Sequence, residues 1–211
     1  FPDLGEKPEY NTIDATLWLF VALHEYHEQF HDVEFIRSFF GKLTEIINAH
    51  YAGTRYNIHV TPEGLLYGGQ DGTQLTWMDA KVGDYVVTPR IGCPVEINAL
   101  WFNALSVYVS FGNLLGFPVS GYVQKLKDLK SVFRSHFINE KGYLNDVVIP
   151  GHKADETIRP NQVYAISLPF SPLTNTEAKR VLDVVHQHLY TDYGLRSLSP
   201  FHPDFKPIYT G

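Results

Sequence analysis

The sequence predicts an all-α fold whose helices lie in two concentric layers, the layout of an α/α toroid. Segments that are apolar on nearly every side alternate with segments that carry one apolar stripe, and the alternation runs three times. A segment touched on all sides belongs to an inner layer, whereas a one-stripe segment faces water. In an up-down bundle, by contrast, every helix shows a single stripe. Strand-like residues gather in one small insertion, around 55–92. The repeat is one of pattern, without internal sequence identity.

The first segment, 13–30, follows Thr12, whose hydroxyl suits an N-cap, and is apolar through Ala15, Leu17, Trp18, Leu19, Phe20, Val21 and Leu23. Segment 33–51 carries Ile36, Phe39, Phe40, Leu43, Ile46 and Ile47 on one face, with Arg37, Lys42 and Glu45 off it. In the insertion, Asn57-Ile-His-Val60 and Leu65-Leu-Tyr67 flank a Pro62-Glu-Gly64 turn, and glycines follow. Long non-helical insertions in compact domains are usually functional. Segment 95–115 is again apolar all round and stops at Gly116-Phe-Pro118. Segment 120–137 returns to one stripe, with Tyr122, Leu126, Leu129, Val132, Phe133 and Phe137 inside. A short apolar helix spans 161–168. Segment 174–190 closes the series with Ala178, Val181, Leu182, Val185 and Leu189.

At 211 residues the chain suffices for a single domain with a substantial core, and its 44% hydrophobic and 19% charged residues read as globular. The 14% aromatic content fits either core packing or a ring-lined cleft. A net charge of −6 without a basic run argues against a nucleic-acid partner. The apolar stretches are too short and interrupted to span a bilayer, so no membrane is expected. Phe1-Pro-Asp, without a Met or a signal-peptide pattern, reads as the start of an excised segment. The lone Cys93 excludes an internal disulfide and fits a reducing, cytoplasmic compartment, and it reads as a small buried residue rather than a nucleophile.

The chemistry-bearing stretch is Thr76-Trp-Met-Asp79, just after the Gly-rich loop Gly68-Gly-Gln-Asp-Gly72. An acid held among large rings is suited to gripping sugars and donating a proton, and Trp77 and Met78 are placed to desolvate Asp79. Asp79 could equally cap the next turn. Glu96, in the first turn of the third helix, could complement the helix dipole, act as a base, or hold a sugar hydroxyl or Arg90. Asp14 and Trp18 are four apart on one helical face, a reasonable grip for a terminal glucose, although Asp14 also suits the helix start. Arg159, Asn161 and Gln162 lie at the start of the short helix 161–168, where they could contact substrate or cap. Trp101 belongs in the core. His24, His27 and His31 share a face, but Glu28 stands where a zincin needs its second His, so no metal is expected. The Gly-rich loop lacks the Lys-Ser/Thr of a phosphate-binding loop.

Several separated motifs carry a resemblance that covers essentially the whole chain: Tyr10-Asn-Thr-Ile-Asp-Ala-Thr-Leu-Trp18, Thr76-Trp-Met-Asp-Ala-Lys81, Pro89-Arg-Ile-Gly92, Val95-Glu-Ile-Asn-Ala-Leu-Trp101 and Arg159-Pro-Asn-Gln162. In these the sequence resembles the α-1,6-glucosidase domain of glycogen debranching enzymes. That resemblance implies an (α/α)6 toroid, of which this chain is about half, and a glycoside hydrolase acting with inversion on branch-point glucose. The partner it implies is a branched α-glucan such as glycogen, limit dextrin or maltooligosaccharide. It also implies that Asp79 is the general acid, while the catalytic base lies in a part absent from this chain, near an expected His-Gln-Gly and Trp-Pro. Asp14, Trp18, Trp77, Arg90, Glu96, Arg159, Asn161 and Gln162 are expected to line the glucose pocket, with no cofactor, because two carboxylates suffice for hydrolysis. Half a toroid would leave apolar inner surface open to self-association. The rival readings are another toroid hydrolase acting on a small glycoside, and a non-catalytic carbohydrate-binding fragment.

Overall fold

The computed structural model describes residues 10–208. Its helices are α1 (Ala15–Phe30), α2 (Val33–Ala52), α3 (Val95–Leu115), α4 (Ser120–Phe137), α5 (Tyr164–Ser167) and α6 (Asn175–Leu189). The strands β1 (His59–Val60), β2 (Leu66–Tyr67), β3 (Lys81–Val82), β4 (Tyr85–Val86), β5 (Cys93–Pro94), β6 (Val147–Val148), β7 (Tyr190–Thr191) and β8 (Gly194–Leu195) form four separate antiparallel pairs. Six helices with only these short strands make an all-α layout, consistent with part of an α/α toroid.

α3 is the axis of the molecule. After Glu96 it carries no charged residue, every residue from Val95 to Tyr108 is buried, and it packs against α1, α2, α4 and α5. A helix this apolar has no face that favours water, so its neighbours close around it. Most of its buried polar side chains are bonded inside, whereas Asn103 accepts the Phe170 N–H at 3.2 Å but leaves its amide nitrogen without a partner among the described residues. Asn98 accepts from the Leu66 N–H at 2.8 Å and donates to the Leu66 and Pro94 carbonyls at 3.0 Å, which ties the insertion to the helix. The Trp101 indole N–H donates to the Gly64 carbonyl at 3.2 Å, so this ring is core with its one donor satisfied.

α1 departs from the expectation that it would be enclosed. Only Leu17, Phe20 and Leu23 are buried within it, while Trp18 remains 36% exposed. Its main helical contacts are with α2 and α3, so one face is covered and the opposite face is open. The helix also begins two residues later than its apolar run. Thr12 Oγ1 accepts the Ala15 N–H at 3.1 Å, and Asp14, at the N-cap position, makes no capping bond. The short helix 161–168 splits into a 3₁₀ turn at Pro160–Val163 followed by α5. Cys93 lies fully buried in β5, where burial, with Glu63 adding to it, pushes the thiol up to about 12. Such a thiol stays protonated and inert.

α4 and α6 each bury one stripe, Leu129, Phe133 and Phe137, and Val181, Val185 and Leu189, while Leu182, expected inside, lies 52% exposed beside the α6 stripe. α6 opens with a reciprocal capping box between Thr174 and Glu177, and Glu177 also accepts from Arg134 of α4 at 2.6 Å. Partial burial works to raise the Glu177 carboxyl, but Arg134 and the Thr174 cap outweigh it and bring it down to about 2. The folded value lies below the unfolded one, so the stability this carboxylate adds is present above about pH 4.5 and is lost as pH falls toward 2. Glu177→Gln should therefore flatten that acid limb when thermal unfolding is followed across the window, whereas Thr174→Ala should cost about 1 kcal/mol at neutral pH.

Candidate active site

The centre of the site is a residue that motif reading passed over. β5 pairs with β6, Cys93 opposite Val148 and Pro94 opposite Val147, and the Val95 N–H extends the ladder to the Asp146 carbonyl at 2.9 Å. Gly92 permits this approach. It sits at φ +133°, and a Cβ there would lie 2.8 Å from Ile149 and 2.9 Å from Val147. The pairing delivers the Asp146 side chain, 2% exposed, to Arg90 and Glu96 at the foot of α3.

Arg90 holds both carboxylates. It meets Glu96 through a two-pronged contact, Nη1 to Oε1 and Nη2 to Oε2, the latter at 2.8 Å. Its Nε and Nη2 donate to the two Asp146 oxygens at 3.1 Å each, and Nη2 also reaches the Asp146 carbonyl at 3.2 Å. Arg159 approaches the same carboxylate, Nε to Oδ2 at 3.6 Å, and donates to the Ser197 carbonyl at 3.2 Å. Two guanidiniums thus face two carboxylates. Desolvation works against the charge of Arg90, but Glu96 and Asp146 more than offset it and raise its proton affinity above the ordinary value. Burial pushes the Asp146 carboxyl up to about 6, and Glu96 adds to that push while Arg90, Asn161 and Arg159 oppose it.

The network reaches the Thr-Trp-Met-Asp loop through Asn161. Its Nδ2 donates to Asp146 Oδ1 at 2.7 Å and lies 3.4 Å from the Met78 sulfur, while its Oδ1 accepts the Trp77 indole N–H at 2.9 Å. Asp146, Asn161 and Trp77 therefore form one chain of hydrogen bonds ending two residues before Asp79. Gln162 faces elsewhere: it accepts the Leu144 N–H at 3.2 Å and donates to the Arg159 carbonyl at 3.1 Å, bracing the turn that carries Asn161.

Asp14 and Trp18 do come together, with Trp18 Nε1 donating to Asp14 Oδ2 at 3.3 Å. Tyr164 of α5 meets the Trp18 ring edge-on at 5.7 Å. Asp79 is exposed, so the expected enclosure by Trp77 and Met78 is a correction: Asn161 engages both of those side chains, and the Trp77 ring is itself 48% exposed. Asp79 lines a groove of about 400 Å³ together with Asn11, Tyr56, Gly72, Thr73, Gln74 and Lys81. Glu96 is 2% exposed, and Arg90 meets both of its oxygens. His24 and His27 pack against Phe170 and Phe111, and no metal-holding group of His, Cys, Asp or Glu exists among the described residues. Nor is any described helix long and apolar enough to cross a membrane.

Asp146 had a sequence signal. An acid in the apolar run Leu144-Asn-Asp-Val-Val-Ile149 must be buried with its neighbours, and a buried carboxylate demands cationic partners.

The chain matches the family model described as amylo-alpha-1,6-glucosidase over residues 1–211. No curated protein matches it.

Removing one member of the buried network leaves the rest uncompensated. Asp146→Ala is expected to lower stability by about 3–5 kcal/mol in denaturant unfolding, whereas an exposed pair such as Lys42–Glu45 should tolerate Glu45→Ala within about 1 kcal/mol.

Proposed function

This chain belongs to the amylo-alpha-1,6-glucosidase family, and from that premise we propose that it carries the acid half of a site hydrolysing α-1,6-linked glucose at branch points of glycogen or maltodextrin. The observation that supports this most is the placement of Asp79. It stands exposed at a groove, on a loop whose preceding residues Trp77 and Met78 are held by Asn161 and, through it, by Asp146. A general acid needs to be open to substrate yet fixed in position, and this anchoring supplies both conditions.

In the proposed reaction the Asp79 carboxyl gives its proton to the glycosidic O6 as the C1–O6 bond breaks. A water attacks C1 from the opposite face and loses a proton to a carboxylate base, so the products are β-glucose and the debranched chain. Asp14 and Trp18, with Tyr164 against the indole, are the grip for the departing glucose: the carboxylate accepts hydroxyls and the rings cover the apolar sugar face. Arg90, Glu96, Arg159, Asn161 and Gln162 act on the glucose pocket by positioning its wall. Because Arg90 occupies both Glu96 and Asp146, the base is a different carboxylate, which we place outside residues 1–211.

Glucose release from an α-1,6-glucosyl maltooligosaccharide tests this reading. The 211-residue chain alone is expected to release none. In a full-length enzyme that also carries the base, Asp79→Asn should cut the rate by about 10²- to 10⁴-fold, with β-glucose as the first product by proton NMR. Equal rates for the native enzyme and its Asp79→Asn variant would remove this carboxyl from the mechanism.

A further inference from the structure

The far half of α3 borders a cavity of about 530 Å³ that the hydrolytic reading does not use. Ser106, on its wall, is ten residues past Glu96, or about 15 Å along the helix from the Arg90 cluster. α4 and the Pro169-Phe170-Ser171 segment after α5 complete the walls. Bonds within the protein fix that segment. The Phe170 N–H donates to Asn103 Oδ1 at 3.2 Å, and the His24 ring packs on Phe170 at 5.3 Å. Ser171 Oγ donates to the Ala165 carbonyl at 2.6 Å and accepts the Leu173 N–H at 3.1 Å. The cavity is thus formed before anything enters it, as small-molecule pockets usually are.

Its floor is apolar and its rim is cationic. Phe102 is buried, and Val109, Leu126 and Phe170 pack against the core around it. The Ser106 hydroxyl is already given to the Phe102 carbonyl at 2.8 Å. At the rim stand Lys127 and Lys130, exposed and three apart on α4, with no acceptor among the described residues. Lys42, Lys141 and Lys179, by contrast, each meet a carboxylate. No acid lines this cavity. Asp128 faces elsewhere, lining a separate cavity with Glu63 and accepting from Gln124 at 2.8 Å. Like charges three apart on a helix repel one another. In a chain of net charge −6, this pair is left unanswered at the mouth of an apolar space.

We propose that this cavity binds a single-chain carboxylate amphiphile, its head between Lys127 and Lys130 and its aliphatic tail on Phe102, Val109, Leu126 and Phe170. The ammoniums supply charge-assisted hydrogen bonds to the carboxylate, and the floor takes the tail out of water. A bare anion would leave the floor unused. A sugar would find no carboxylate or amide side chain on these walls to accept from its hydroxyls. The site stands whether or not Asp79 is the general acid.

The test titrates the 211-residue chain with decanoate, kept below its micelle concentration, and follows calorimetry and backbone amide NMR. Acetate supplies the head alone, and decanol the tail without charge. Decanoate is expected to shift the Ser106, Ser110, Lys127, Lys130 and Ser171 amides and to bind about tenfold tighter than either control. From hexanoate to decanoate, affinity should rise about two- to fourfold per added methylene. Lys127→Gln combined with Lys130→Gln should weaken decanoate about tenfold and leave decanol unchanged. Ser110→Phe, which fills the cavity with both ammoniums in place, should abolish the decanoate shifts. All three positions are exposed, so thermal unfolding should be unaltered in both variants. Absence of binding, equal affinity for decanoate and decanol, or shifts confined to the open face of α1 around Trp18 would overturn the assignment. Association of two copies that the double lysine variant dissolves would make the cavity a contact between chains and would equally end it.

Discussion

Arg90 cannot be buried unless its charge is answered in place. A guanidinium removed from water is tolerated only when its donors find strong acceptors, and two carboxylates from distant parts of the chain supply them. Glu96 comes with α3, and Asp146 comes with β6. The requirement that both reach the same cation fixes how the third helix, the 55–92 insertion and the segment after α4 are placed against one another. Asn161 then adds a fourth segment, because its amide bonds Asp146 on one side and Trp77 on the other.

This cluster divides the molecule chemically. Behind it lies α3, largely apolar, with Asn98 and Ser106 bonded to backbone and the Asn103 amide nitrogen buried without a partner among the described residues. In front lies the Asp79 loop, exposed and lightly bonded, with half-exposed Trp77 between the two. Fixed geometry and open access are hard to obtain from one residue, since burial gives the first and exposure the second. Here they are separated: Asp146 and Asn161 supply rigidity from within, and Asp79 remains free to meet a ligand.

The helices were legible in the sequence because periodicity is a local property. The single stripes of α2, α4 and α6 and the featureless apolar surface of α3 place those segments without knowledge of their neighbours. α1 shows the limit of that reasoning: an apolar surface expresses a demand for cover, while the cover itself depends on which elements are adjacent. Around the site, Asp79 and Trp77 stood out by residue type, but the exposure of Asp79 follows from a hydrogen bond between residues 84 apart. Asp146 was missed because its partners Arg90 and Asn161 lie 56 and 15 residues away, and nothing in its own neighbourhood names them. Glu96 was readable as a partner of Arg90 because only six residues separate them.

The placement of charge also governs how the molecule meets its medium. The exposed pairs, Arg37–Glu34, Lys42–Glu45, Lys141–Glu156 and Lys179–Asp183, lie where mobile ions reach them and shield them. The Arg90 cluster, with side chains only 2–3% accessible, lies beyond that atmosphere. Dissolved salt thus acts on the exposed pairs and leaves the scaffold behind Asp79 untouched.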